Sequence, residues 1–284
     1  MRLYRIWRSN FAQIHVSKYV PRLVIDVAKF LFPEMVYVPQ GWSPSNSTSK
    51  GWNETSVAEA QERHWPILAQ NLQGPGPLGV AHYPWSLTRD DGIHHNAMMS
   101  YAYVLALAAR KREYISILDW GGGAGHYYLY SRALLPEVRI EYDCYDVPQL
   151  CELGRKLTVE GRFHDNDADL LGKQFDLVVS SSSLHYFENW REMTRKLANF
   201  AREFLYIARL QTVSRAPSFV AAHRVYRAGY TEYLSWCLNQ QELVTCAEES
   251  GLELVREFVF EDTWYTRGAP EKVNSRGFLF RRRR

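Results

Sequence analysis

Cysteine is scarce in this chain, with four in 284 residues. Cys144, Cys151, Cys237 and Cys246 make no C-x-x-C pair and have no close histidine partner. That argues against a disulfide framework and against a structural metal site, so no metal is expected. A membrane span needs roughly twenty mostly apolar residues, and no such run occurs. The most apolar early stretch, Tyr19 to Val38, is interrupted by Pro21, Arg22, Asp26, Lys29, Pro33 and Glu34. No compact apolar region leads to a small-residue cleavage site, so a secretory signal is not expected either. No internal repeat is visible. These absences point to a reduced, cytoplasmic protein.

What is present is ordinary for a globular protein. Hydrophobic residues make up 46% and charged residues 23%, enough to fill a core without staples. The length fits one large domain or one domain with an elaborated N-terminal part. The reading adopted is an extension over 1–92 followed by a catalytic domain over 93–284. The net charge of +3 hides an asymmetry: residues 1–29 carry +5 and the last four arginines +4, which leaves −6 for residues 30–280. Basic ends can meet anionic lipid, nucleic acid or an acidic partner; a solvated tail explains the arginine run as well.

Val20, Val24, Val27 and Leu31 recur at helical spacing, with Arg22, Asp26 and Lys29 off that face. The segment 1–39 is therefore read as a basic amphipathic leader. It packs on the body, on a second copy of the chain, or on a membrane surface. Residues 40–56 have loop composition, but Trp42 and Trp52 within them call for a surface to dock on or a pocket to line. Ser56 with Glu59 forms an S-x-x-E box, which predicts a helix to about Leu72, ended by Gly74-Pro75-Gly76-Pro77. A second helix is expected from about Ala97 to Lys111, with His94 and His95 at its start. There a neutral imidazole is favoured by the helix dipole, and the competing role is a helix cap.

The centre of the sequence is Ile115-Ser116-Ile117-Leu118-Asp119-Trp120-Gly121-Gly122-Gly123-Ala124-Gly125-His126. An apolar run ends in an acid, a glycine-packed turn follows, and a helical pattern begins at about Tyr127. Glycines at 121, 123 and 125 let a ligand lie against the backbone, and the helix beyond offers unpaired N–H groups. A dinucleotide fingerprint would place its third glycine at 126, where His126 stands. The pattern is instead D-x-G-x-G-x-G. It resembles motif I of the class I S-adenosylmethionine (AdoMet) dependent methyltransferases.

That resemblance covers about residues 93–280. It implies an α/β, Rossmann-like fold with a seven-stranded, mostly parallel sheet whose last strand is antiparallel, here with a helical and loop-rich N-terminal extension. It implies AdoMet as cofactor. Asp119, Gly121, Gly123 and Gly125 match the loop that passes the methionine part. Val138 to Tyr145 alternates like a strand and ends at Asp146, about twenty residues past the loop and placed for the ribose hydroxyls. Asp143 is the weaker alternative. Asp165, with Asn166 and Asp167 as alternatives, matches the acid or amide near the adenine amino group. Gln174 to Ser180 reads as the fourth strand, and Ser180 at its carboxyl end is placed at the cofactor. Asp176 is taken as structural.

The loop Ser180-Ser181-Ser182-Ser183-Leu184-His185-Tyr186-Phe187 lacks the Asn/Asp-Pro-Pro-Tyr pattern of enzymes that methylate adenine or glutamine amides. Amino-group methylation of a base is thus disfavoured, no nucleic-acid partner is expected, and an oxygen acceptor is the better fit. His185 is the first candidate general base, His95 the second. Tyr186, His94 and Tyr226 are candidate acceptor contacts. The aromatic and basic stretch at about 211–238 is read as a substrate-covering insertion, with a helix pair around an aromatic core as the alternative. A more specific likeness rests on Asp119-Trp120-Gly121-Gly122-Gly123, Ser180–Tyr186 and Leu252–Phe258. These resemble a family of bacterial methyltransferases found with surface-polysaccharide genes. The function implied is O-methylation of a small-molecule or saccharide acceptor by direct transfer. The competing reading is a catalytically silent AdoMet-binding module that recruits a partner.

Overall fold

The strand that carries the glycine turn lies at the middle of the sheet because both its edges are paired and both its faces are covered. In the computed structural model, which describes residues 35–43, 51–80, 91–225 and 231–283, this strand is β2 (Tyr114–Trp120). It pairs in parallel with β3 (Arg139–Tyr145) on one edge and β5 (Phe175–Ser181) on the other. β4 (Arg162–His164) adds to β3, and β6 (Ala201–Val213) adds to β5, again in parallel. β11 (Val273–Arg282) then inserts antiparallel between β6 and β9 (Leu252–Trp264). The order is β4-β3-β2-β5-β6-β11-β9: six parallel strands and one reversed.

The period of two along each strand assigns the faces. Ile115, Ile117, Tyr142, Leu177, Val179, Phe204 and Tyr206 point to one side, where α2 (Gly92–Ala108) and α3 (His126–Leu134) cover them. Leu118, Trp120, Val178, Leu205 and Ile207 point to the other, with α5 (Trp190–Phe200) and α6 (Gln240–Glu249). Pro148 opens α4 (Pro148–Leu157), where a missing N–H costs nothing. Asn239 caps α6 with its side-chain oxygen on the Gln241 and Glu242 amides.

Two ion-paired acids fasten the strands below the carboxyl edge. Asp176 accepts from Ser116 N–H and Oγ and pairs with Arg112 and Arg202. Asp143 is held by Arg162, His164 and Lys173. The partners hold both carboxyls below the usual range despite burial. Asp143 is thus committed to structure.

The insertion is a β-hairpin, not a helix pair. β7 (Phe219–Val225) and β8 (Thr231–Asn239) pair antiparallel. β8 takes the edge of β6 that β5 leaves free, at Thr212↔Leu238 and Val213↔Asn239. β1 (Met35–Val38) extends the hairpin on its far side, and the two-residue β10 (Thr266–Arg267) follows. The aromatic and β-branched residues that looked like a helical core alternate across this ribbon. Its base is pinned by Glu271, whose carboxylate accepts from the Ser214, Arg215 and Ala216 amides; these N–H groups hold its pKa down at about 2.

α1 (Thr55–Asn71) starts two residues earlier than the S-x-x-E box predicts. Glu54 is its N-cap and no side chain caps it, so Ser56 sits inside the helix. α2 likewise starts at Gly92, with Asp91 as its cap, and ends before Lys111, whose φ of +61° stops a helix. The basic face read at 20–31 lies outside the described residues, as does Tyr226.

Gly154 in α4 tests the packing under the site. A Cβ there would stand 2.2 Å from a carbon of the Phe163 ring. Gly154→Ala is therefore expected to lower stability by about 1–3 kcal/mol, read as the urea midpoint. An unchanged midpoint would contradict this packing of α4 on β4.

Candidate active site

The turn between β2 and α3 is assembled from approaches that a side chain would block. Gly121 (φ +79°) lies on Ser183, and a Cβ there would be 2.4 Å from Ser183 Cβ. Gly122 covers Asp119, with a Cβ position 2.3 Å from its Oδ2. Gly123 and Gly125 are also left-handed, and Gly125 is the N-cap of α3. Three amides fix the turn. Gly123 N–H donates to Asp146 Oδ2 at 2.7 Å, Ala124 N–H to Gln61 Oε1 at 3.2 Å, and Gly121 N–H to the Tyr145 carbonyl at 2.8 Å.

Two carboxyls sit beneath it. Asp119 is 1% exposed and accepts from the Tyr142 hydroxyl at 2.5 Å. Burial pushes its pKa up to about 7 against that hydrogen bond, and the Asp146 charge pushes the same way. Asp146 keeps an accessible edge at the end of β3 and accepts from Val147 N–H at 2.7 Å through its other oxygen. Its dense surroundings raise its pKa to about 6, opposed by the Val147 and Gly123 amides. Two acids pushed toward protonation in one place favour a cationic ligand group, which stabilises their charged forms.

The loop after β5 closes on this turn. Ser183 Oγ donates to the Trp120 carbonyl at 2.7 Å. Its one proton is thereby used, so Ser180 Oγ donates to Ser183 Oγ, also at 2.7 Å. The chain then makes one 3-10 turn, Leu184–Tyr186. His185 is 1% exposed and both its ring nitrogens lack a hydrogen-bond partner. Burial drives its pKa down to about 3, assisted by His223 and Arg209, so the imidazole is neutral. Tyr186 meets the His185 ring edge-on at 4.0 Å and the Tyr233 ring at 4.5 Å. Trp52 completes an aromatic platform, 5.4 Å from Tyr186 and 4.9 Å from Tyr233. Trp42 stacks on Trp236 at 6.0 Å. The N-terminal tryptophans thus dock on the hairpin.

Of the residues expected from sequence, Asp119, Gly121, Gly123, Gly125 and Asp146 come together, and His185 and Tyr186 lie across from them. Asp165 follows β4 on the exposed rim, with Arg155 at 3.5 Å. Ser180 is a correction. As an even-numbered residue of β5 it points to the α5–α6 side, fully buried in the hydroxyl relay, and it braces the loops instead of facing a ligand. His94 lies in the first turn of α2, where Asp91 is the cap: its backbone N–H donates to Asp91 Oδ1 at 3.0 Å and its Nδ1 lies 3.1 Å from the same oxygen. His95 Nδ1 accepts from Leu78 N–H at 3.3 Å, which leaves the ring proton on Nε2. Sequence reasoning missed Gln61 and Arg209. Gln61 reaches the turn from 63 positions away, and only the buried helical face of α1 could have pointed to it. A groove between α5, α6 and the hairpin base, lined by Arg191, Arg195 and Glu242, lies on the opposite side of the sheet.

A central strand ending in an acid, a glycine turn, and a second acid closing the next strand, in a sheet of this order, define a class I AdoMet-dependent methyltransferase. The family model described as "Methyltransferase domain" matches residues 94–257, and the chain belongs to that family. AdoMet is its methyl donor. No curated protein matches the chain. Solved structures similar to it include the CcbJ methyltransferase of Streptomyces caelestis, at 15% identity over 82% of this chain and 100% of that one, with a TM-score of 0.49. A SAM-dependent methyltransferase of Methanosarcina mazei shares 16% identity over 62% of this chain and 96% of that one, TM-score 0.47. The 1,6-didemethyltoxoflavin-N1-methyltransferase of Burkholderia thailandensis, with bound S-adenosylhomocysteine, shares 14% over 79% and 91%, TM-score 0.45.

The raised pKa of Asp119 has a signed consequence without cofactor. Between its unfolded value near 4 and its folded value of about 7, the folded chain keeps a proton that the unfolded chain loses. Stability therefore falls as pH rises through that window, by up to about 1.4 kcal/mol per pH unit for one proton, and levels off above it. Asp119→Asn is expected to flatten this slope relative to wild type in urea midpoints from pH 4.5 to 7.5. Equal slopes would mean that Asp119 is ionised in the folded protein.

Proposed function

We propose that the chain methylates a hydroxyl oxygen of a small-molecule or saccharide acceptor, and that the acceptor lies between the glycine turn and the Trp52–Tyr186–Tyr233 platform. The observation that carries this reading is the loop at the carboxyl end of β5. It presents hydroxyls and a neutral imidazole, with no amide or carboxylate to receive an amino group. Ser181 is hydrogen-bonded to Tyr127, and Ser180 and Ser183 are spent on the relay. The aromatic platform suits the apolar face of a sugar ring, in keeping with the likeness to methyltransferases found with surface-polysaccharide genes.

The residues present fit the cofactor. The turn would hold its methionine part over Asp119, Asp146 would meet the ribose, and Asp165 would stand at the adenine rim. Bound there, AdoMet supplies an electrophilic methyl group on a positive sulfonium. The chain's own work is alignment and proton removal. Holding two reactants in line is worth roughly 7–11 kcal/mol of barrier at best, and the braced loops provide that rigidity. As the acceptor oxygen takes the methyl group and the S–CH3 bond breaks to leave S-adenosylhomocysteine, the hydroxyl proton would pass to a ring nitrogen of His185. Tyr186 orients the acceptor. His95, whose Nδ1 lone pair is already engaged, is assigned a positioning role through its Nε2–H, and His94 is held against the Asp91 cap.

Labelled AdoMet offered with cell-envelope sugars should yield an O-methyl product, identified by mass spectrometry and by its resistance to alkali. His185→Ala is expected to lower turnover by about 10²–10⁴-fold while cofactor affinity stays within twofold. An N-methyl product would contradict the oxygen assignment, and full turnover in His185→Ala would remove the base.

A further inference from the structure

β6 carries, just past its pairing with β5, a positive charge that has no counter-charge among the described residues. Arg209 is partly buried, and among the described residues its guanidinium makes no hydrogen bond or ion pair. Arg112, Arg162, Arg202 and Arg281 each face a carboxylate, whereas Arg276 Nε, on the adjoining strand β11, is also buried without a partner. Its charge acts on Tyr127, Tyr206 and His185, which places it on the crevice side of the sheet, next to the loop that holds the proposed base.

The backbone there is strained. Arg209 has φ +51° and Ser182, on the adjoining strand end, φ +55°. Ser182 N–H donates to the Ala208 carbonyl at 2.9 Å, and its hydroxyl to the Arg209 carbonyl at 3.4 Å. Non-glycine residues are disfavoured in this region and concentrate at functional sites. Polar atoms of two groups that its charge reaches are also unsatisfied: His185 Nδ1 and Nε2 and the Tyr206 hydroxyl are buried without partners. A buried polar group left unpaired is destabilising, so these atoms beside an unmatched cation describe a site shaped for a polar anion. A positively charged methyl donor sharpens the argument. A lone arginine beside it repels, and a negative acceptor removes the repulsion.

We propose that the acceptor is an acidic sugar, bearing a carboxylate or a phosphate, and that Arg209 binds that anion while Trp52, Tyr186 and Tyr233 carry the ring. This deepens the proposed O-methylation and rests on it. The guanidinium fork matches both anions. Its neutralisation by the acceptor also relieves one of the charges that hold His185 unprotonated, so the base strengthens only when the acceptor is in place.

The test is thermal shift on the intact chain saturated with S-adenosylhomocysteine. Sodium glucuronate, glucose 1-phosphate and glucose are added at matched ionic strength. Glucuronate or glucose 1-phosphate should raise Tm where glucose does not, and which of them acts distinguishes a carboxylate from a phosphate. Arg209→Ala should weaken the acid's apparent affinity at least about tenfold, while the stabilisation by S-adenosylhomocysteine is retained and reports a folded variant. Arg209→Lys should recover part of the binding, since it keeps the charge and loses the fork. Equal shifts with glucose and the acids, no shift with either acid, or an unchanged shift in Arg209→Ala would each overturn the proposal. Failure of S-adenosylhomocysteine itself to stabilise the wild type would instead remove the methyltransferase reading beneath it.

Discussion

One close approach governs the chemistry of the molecule: Gly121 lies directly on Ser183. Because no Cβ intervenes, the turn after β2 and the loop after β5 touch, and the Ser180–Ser183–Trp120 relay locks them at hydrogen-bond length. A second clamp works from the other side, where Asp146 grips the Gly123 amide. Each net hydrogen bond is worth only about 1 kcal/mol. Their joint effect is positional: they fix the two halves of the crevice at a single separation, which is what in-line transfer requires.

α1, the hairpin and β1 can be understood as closing that crevice. α1 sends Gln61 to the Ala124 amide and lays Trp65 on His126 at 5.3 Å, so the N-terminal part completes the wall over the glycine turn. The hairpin does the same above the loop after β5, bringing Tyr233, which His223 packs against, to Tyr186 and Trp52. β1 pairs along the hairpin and stabilises a ribbon that would be marginal as two strands. The acids are at the turn, and the neutral His185 and Arg209, which has no counter-charge among the described residues, belong to the loop and strand next to it.

The parts legible in the sequence are those fixed by local rules. The acid, glycine turn and helix start are written in consecutive residues, and Asp146 follows from strand alternation ended by Pro148. Asp143 stays an alternative to Asp146 in the sequence, and only the neighbouring strands and loops, with Arg162, His164 and Lys173, commit it to structure. The parts missed are set by tertiary contact. Gln61 is an ordinary helix residue until the fold brings it 63 positions forward. Arg209 reads as one more strand residue, because nothing local reveals a left-handed φ or a missing partner. Ser180 was misplaced through neglect of parity: Leu177 and Val179 share the α2–α3 face, so an even-numbered serine faces away. The hairpin was open to a helical reading because Tyr and Trp serve either element, although Tyr233, Ser235 and Cys237 alternate with Leu234, Trp236 and Leu238 in strand fashion.

The central claim is that the turn at 121–125, braced by Asp146 and the serine relay, is the seat of the methyl donor. Isothermal calorimetry of AdoMet and S-adenosylhomocysteine against the intact chain tests it most directly. The account predicts one site per chain for which the two compete, and a loss of affinity of at least about tenfold in Asp146→Ala. No binding of either ligand, or binding untouched by Asp146→Ala, would contradict it.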